Sequence, residues 1–386
     1  MAIHLNKKEQ HIRQKLRVIK EKSGSHSPSP AMLARLEGCE VKHDFCYINN
    51  PHATDLFFQF FRKDFKNTEN LRRAIERYPS QGQTLSERLS PVLKIPPEQL
   101  FIGNGATEII QAVLQNFVKR KILIPVPTFS SYIDFASKGV QVAYHKLKKD
   151  FNFQLNVPDF LADVKKEKPD AVVIINPNNP DGGYLAKDSL KKLLSGLASV
   201  PTVILDESFV HFADKNKEVT YGSIELFKKF PNVIIIKSLS KDFGIAGLRL
   251  GYAVMSENRV SALFRRGYLW NVSGFGEYFL GLLENKKFQQ KYEKARLRAM
   301  VERDICFEGL SKIKDLKVYP SKGNFFLAEL TDGSKADDLV VALLVRYGIY
   351  IRSCKDKTGL QGEFVRIASR KKSENDLLKK ALGSIF

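Results

Sequence analysis

Lys241 stands in Ser238-Leu239-Ser240-Lys241-Asp242-Phe243-Gly244, directly after the apolar run Val233-Ile234-Ile235-Ile236. Arg249 follows eight positions later, in Gly247-Leu248-Arg249-Leu250-Gly251-Tyr252. A lysine that leaves a buried strand into a pocket is desolvated, and its pKa falls towards neutrality. Its amine then serves as a nucleophile towards a carbonyl. Serine, glycine and arginine beside it suit an anion such as a phosphate. An aldehyde for the lysine and a phosphate for its neighbours are the two ends of pyridoxal 5'-phosphate.

Four more motifs follow apolar runs, where ligands bind in open α/β sheets. Gly103-Asn104-Gly105-Ala106-Thr107-Glu108 opens a helix and presents backbone N–H groups to a phosphate, although glycine turns before helices are commonplace. Pro127-Thr128-Phe129-Ser130 offers an aromatic ring that stacks on a planar ligand or fills a core. Asn176-Pro177-Asn178-Asn179-Pro180-Asp181-Gly182-Gly183 is a turn with an asparagine placed to donate to a phenolate oxygen. Val203-Ile204-Leu205-Asp206-Glu207-Ser208-Phe209 ends a strand on an aspartate, which is costly to bury without a cation, or which caps a helix. A protonated pyridine nitrogen is such a cation.

In this order the motifs of residues 70 to 370 resemble the class I/II aminotransferase family, the fold-type I pyridoxal-phosphate enzymes. The nearest branch holds histidinol-phosphate aminotransferases and threonine-phosphate decarboxylases. The resemblance implies that Lys241 carries the cofactor's aldehyde and shuttles a proton, and that Asp206 pairs with the ring nitrogen. It places Asn179 on the ring oxygen and Phe129 on the ring face. It gives the phosphate to Gly105, Ala106, Thr107, Ser238 and Arg249. Arg366, in Phe364-Val365-Arg366-Ile367, matches the arginine for a substrate carboxylate, and a bidentate guanidinium suits that task. Tyr78 matches a tyrosine that reaches the cofactor phosphate of a neighbouring subunit, which implies a homodimer. Phe209 replaces a tyrosine common in the family, and Pro180-Asp181-Gly182 replaces the usual Pro-Thr-Gly.

The same lysine, aspartate and ring serve amino transfer and decarboxylation. The leading expectation is amino transfer on a small, anionic, phosphorylated or phosphonate-bearing amino compound. The alternative is decarboxylation of O-phosphoserine or O-phosphothreonine. Phe209, found at this position in threonine-phosphate decarboxylases, points towards the second. Residues 43–51 resemble aminotransferase-like domains fused to nucleotidyltransferases in phosphonate or surface-polymer pathways. Arg352 is a candidate second anion site; Asn50 and Asn324, with Tyr47, Trp270 and Asn271, are further pocket candidates.

To position these residues the chain needs a layered α/β unit. Runs 121–126, 140–145, 171–175, 203–205, 233–236 and 250–254 read as strands, continuous rather than alternating, as when both sheet faces are covered. Helical segments such as 109–117 separate many of them, so the sheet is mostly parallel. The expected organisation is a large cofactor-binding α/β domain over 71–274 and a smaller α+β domain from 41–70 and 275–386. That smaller domain includes a long charged helix at 284–302, a strand at 325–330, a helix at 336–347 and a strand at 350–352. Residues 1–40 read as a basic arm with a flexible stretch at 23–30, an appendage to the chemistry.

At 386 residues, two domains are the natural prior. Four cysteines without paired spacing exclude a disulfide framework and a zinc site, and with the lack of a signal-like start they point to the cytoplasm. No apolar run is long enough to span a membrane. A net charge of +20 is spread along the chain without a nucleic-acid-binding signature. It reads as a lysine-rich surface that also attracts anionic substrates, with no nucleic-acid partner. A non-enzymatic basic scaffold is the competing class, and the intact Lys241 and Asp206 argue against it.

Overall fold

The β-branched runs assemble into the middle of one seven-stranded sheet. The computed structural model describes residues 3–22, 27–36, 39–216 and 222–386. Its strands are β1 (His43–Asp44), β2 (Leu100–Gly103), β3 (Lys121–Val126), β4 (Gln141–Lys146), β5 (Ala171–Ile175), β6 (Thr202–Asp206), β7 (Val233–Ser238) and β8 (Gly251–Val254), followed by β9 (Leu316–Val318), β10 (Phe325–Leu330), β11 (Ile349–Tyr350), β12 (Arg352–Ser353) and β13 (Phe364–Ala368). The large sheet has the order β2-β8-β7-β6-β5-β3-β4. Only β8 runs against its neighbours, so the sheet is mostly parallel.

Alternate residues of the central strands serve opposite faces. Val172, Ile174, Val203, Leu205, Val233 and Ile235 join one apolar cluster. Val173, Ile175, Ile204, Ile234 and Ile236 join another. Covering both faces explains the unbroken hydrophobic runs, since each such side chain gains roughly 1.5–3 kcal/mol on burial. Ile175, Asp206 and Ile236 are register neighbours, so β5, β6 and β7 end at one edge. That edge delivers the loops of Asn179, Asp206 and Lys241 to one place.

The early helices are α1 (Lys7–Lys22), α2 (Pro30–Leu33), α3 (Pro51–Asp64), α4 (Thr68–Glu76), α5 (Gly82–Leu93) and α6 (Gly105–Phe117). Helix α6 starts directly after β2, so its N-terminus faces the same edge. The later chain forms an antiparallel sheet, β12-β13-β10-β9, and β1 pairs with β11.

Three expectations are corrected. The N-terminal arm is not an appendage: Ile12 and Leu16 of α1, Leu33 and Leu36 join Phe326, Val365 and Leu378 in one core. Of its expected flexible stretch, residues 23–26 lie outside the described residues, and Ser29 caps α2 by accepting from the Met32 N–H. The charged helix expected at 284–302 is present with different bounds: it starts two residues later and runs on, Lys286–Leu310, after a separate helix Gly274–Glu284. Asn285 separates them and accepts from the Phe288 N–H at 3.0 Å, a stronger start signal than the apolar spacing that runs across it. The strand expected at 350–352 is split: β11 pairs with β1, whereas β12 pairs with β13.

Candidate active site

The loop after β5 is a turn that locks itself and presents one side chain. Asn176 closes on Leu185 through both amide atoms, donating to its carbonyl at 3.0 Å and accepting from its N–H at 2.8 Å. Asn178 donates to the Pro127 carbonyl at 2.9 Å and to Asp181, and Asp181 accepts from the Gly183 N–H at 2.7 Å. Asp181 thus braces the turn where the family has threonine, and burial pushes its carboxyl up to about 7. Gly182 sits at φ +78° against Ser321, where a Cβ would clash. Asn179 is left facing a cavity of about 260 Å³.

That cavity gathers most of the residues singled out from sequence: Ala106, Thr107, Phe129, Asn179, Asp206, Ser238, Lys241, Arg249, Arg366 and Tyr47. Lys241 lines it, partly buried, with its Nζ 6.0 Å from the centre of the Phe209 ring. Burial, then Arg366 and Arg249, bring its amine down to about 8. Burial pushes the Asp206 carboxyl up, and donors from Ser208 and Tyr132 oppose that. The Ser208 N–H donates at 2.9 Å and the Tyr132 hydroxyl at 2.8 Å. Arg366 donates to Asn179 Oδ1 and to the Cys46 carbonyl, both at 2.8 Å.

Gly105 borders this site at φ +80°, and a Cβ there would come within 2.6 Å of the Arg249 guanidinium. The α6 N-terminus and Arg249 therefore form a close cradle suited to a phosphate. Pyridoxal phosphate fits the rest of the donor set. A desolvated amine would meet the aldehyde, the buried Asp206 carboxyl, without an ion pair among the described residues, would meet the ring nitrogen, and Phe129 and Ile175 would wall the ring. Asn179 spends its Oδ1 on Arg366, which leaves its Nδ2 for a ring oxygen.

Other expected residues fall elsewhere. Asn50 is buried and lies outside the cavity lining; its Oδ1 caps α3 by accepting from His52 and Ala53, and its N–H donates to the Lys241 carbonyl at 2.7 Å. Asn324 is also buried away from the lining, with neither amide atom hydrogen-bonded among the described residues. Arg352 is buried rather than superficial, lies beside the cavity, and pairs with Asp356 at 2.6 Å. Its Cα is the register partner of Arg366, so two arginines share one face of the antiparallel sheet. Trp270 is half exposed, and Asn271 donates to Glu108 at 3.0 Å. Tyr78 is 92% exposed and is not among the residues that line its own chain's cavity.

Sequence reasoning missed Tyr132, Ser208, Ser27 and Cys46. Ser27 and Cys46 line the cavity, and the Cys46 thiol donates to Ser27 Oγ at 3.0 Å, so the arm supplies part of the wall. It also missed a buried charged cluster behind the lysine loop. Lys237 pairs with Asp242 at 2.9 Å, and His211 reaches the other oxygen of Asp242 at 2.5 Å. Tyr292 donates to that oxygen at 3.0 Å. Tyr132 and Ser208 stand three and two residues after Phe129 and Asp206 in the strand-end motifs, but their residue types alone do not mark them.

Comparisons with known proteins agree with this geometry. The model of the family "Aminotransferase class I and II" matches residues 62–385. The L-serine phosphate decarboxylase of Campylobacter jejuni is 49% identical over 100% of both chains. That of Sulfurospirillum multivorans is 43% identical over 95% of this chain and 94% of its own length. A solved decarboxylase structure from the same organism superposes with a TM-score of 0.93 at 42% identity, covering 98% of this chain and 96% of that one. Histidinol-phosphate aminotransferases are more distant, with that of Methanococcus aeolicus 31% identical over 76% of this chain and 78% of its own. Among the described residues no helix is long and apolar enough to cross a membrane.

Proposed function

This chain belongs to the class I and II aminotransferase family of fold-type I pyridoxal-phosphate enzymes, and from that premise we propose that it decarboxylates L-serine O-phosphate. The products are O-phosphoethanolamine and carbon dioxide, with one proton taken up at Cα. The observation that carries this reading is the 49% identity, end to end, with a protein named L-serine phosphate decarboxylase. Amino transfer, the leading expectation from sequence, draws support from the family at large and from relatives that are less similar.

When bound, pyridoxal phosphate supplies an electron sink for the pair left at the substrate's Cα. The chain's own residues do the rest. The α6 N-terminus, Ser238 and Arg249 would hold the phosphate, Phe129 the ring face and Asn179 Nδ2 the ring oxygen. Asp206, held by donors from Tyr132 and Ser208, would face the ring nitrogen. Arg366 offers two nitrogens to a carboxylate, already aimed by Asn179 and Cys46. Arg352, beside it in register, supplies a second cation for a substrate with two anionic groups. Lys241, with an amine near 8, is suited to deliver the proton to Cα.

The test is to supply O-phosphoserine, O-phosphothreonine or histidinol phosphate to the loaded enzyme, with and without a keto acid. Carbon dioxide from O-phosphoserine without a keto acid supports the proposal; keto-acid-dependent turnover with no carbon dioxide restores amino transfer.

A further inference from the structure

A second cavity, of about 890 Å³, lies between α1 and the edge of the antiparallel sheet. Lys7, Arg13, Arg17 and Lys20 of α1 line one side, and Arg352 and Lys355 line the other. The lining carboxylates are Asp337 and Asp338, which meet Lys355 at 3.8 Å and Arg13 at 2.7 Å. Basic side chains outnumber them, and concave low-dielectric walls concentrate such a field.

The groove is a fixed part of the fold. Ile12 and Leu16 anchor α1 in the core, and buried Glu9 binds Arg346 through both oxygens at 2.7 and 3.0 Å. Its floor adjoins the cofactor cavity. Arg352 is only 4% exposed, and its register partner Arg366 lines the inner cavity. Pro28 lines the groove while Ser27, the preceding residue, lines the inner cavity. One stretch of arm backbone therefore separates the two. Lys20 of α1 approaches Asp356 at 3.6 Å, and Asp356 holds Arg352. Ser353, also on the lining, has an Oγ without a hydrogen-bond partner among the described residues.

We propose that this groove is an anion-capture site, which binds the phosphate monoester group of the substrate before the substrate moves inward, its phosphate to Arg352 and its carboxylate to Arg366. The proposal rests on the phosphorylated-substrate reading above, and assigns the basic arm a direct part in recognition.

The test uses the loaded enzyme and the double variant Lys7→Gln/Arg17→Gln, which alters the groove without touching Arg352 or Asp356. Lys191→Gln/Lys192→Gln, on the exposed face of the helix Lys187–Gly196, makes the same change in net charge elsewhere. Inorganic phosphate is titrated into each protein by calorimetry, and kcat/KM for O-phosphoserine is measured across a salt series. The groove variant is expected to bind phosphate about tenfold more weakly at low salt, with the kinetic loss in kcat/KM rather than kcat. The difference should close as salt screens the groove. Equal behaviour of the two double variants would overturn the proposal. So would a groove that holds a short RNA while phosphate binding is unmoved. If phosphate binding weakens as expected but O-phosphoserine is not turned over, the groove stands and the decarboxylase reading falls.

Discussion

Arg366 donates to the side-chain oxygen of Asn179 at 2.8 Å, so the arginine that would meet the substrate carboxylate is tied to the asparagine that would meet the ring oxygen. The pair links the antiparallel sheet to the loop after β5. Arg366→Lys keeps the charge but loses the two-pronged geometry. The expected result is kcat/KM about a hundredfold lower with cofactor absorption retained, since a buried charged hydrogen bond contributes a few kcal/mol. Steady-state kinetics alongside the visible spectrum measure both.

Lys237 and Asp242 form a buried ion pair on either side of the Ser238–Lys241 loop. Asp242→Asn leaves the Lys237 ammonium without its counter-charge, and such a loss costs about 3–5 kcal/mol. Chemical denaturation of the cofactor-free protein should show that drop. Lys237→Met together with Asp242→Asn should be less destabilising than Asp242→Asn alone.

Before cofactor binds, burial and the charges of Arg366 and Arg249 lower Lys241 to about 8. The neutral amine is the nucleophile, so cofactor capture should speed up as pH rises and level off above about 8. Arg366→Met removes one of the depressing charges, and the midpoint should move to higher pH. Growth of visible absorption after mixing with pyridoxal phosphate gives the rate.

Tyr78 is 92% exposed, with Ile75 at 66% and Trp270 at 54% also uncovered on the single chain. We expect a second copy to cover them and Tyr78 to complete its neighbour's phosphate cradle. Chains carrying Lys241→Ala and Tyr78→Ala, mixed after unfolding and refolding together, should recover tightly held cofactor in one site of each mixed dimer. Absence of recovery, or a monomer in sedimentation, would count against it.

The cofactor side of the site was legible because each of its residues ends a strand in a short motif. Lys241, Asp206, Asn179 and the Gly105–Thr107 turn announce themselves by type and spacing, and β5–β7 bring them to one edge. The residues that brace them were not legible. Tyr132 reads as a core aromatic until the fold brings it to Asp206, 74 positions away. Ser27 and Cys46 reach the cavity only because α1 and α2 pack into the later core, a pairing that local pattern does not carry. Asn50 misled for the opposite reason: a polar residue before a proline is also a helix cap, and here it is one. The choice between reactions was hidden because, on the proposed reading, it would depend on how Arg366 and Arg352 hold the carboxylate and phosphate, and their pairing is a matter of register between β12 and β13.

The most direct measurement is carbon dioxide release from L-serine O-phosphate by the loaded enzyme with no keto acid present. Stoichiometric carbon dioxide and O-phosphoethanolamine, both abolished in Lys241→Ala, is the expected result. Turnover that needs a keto acid and yields no carbon dioxide would contradict it.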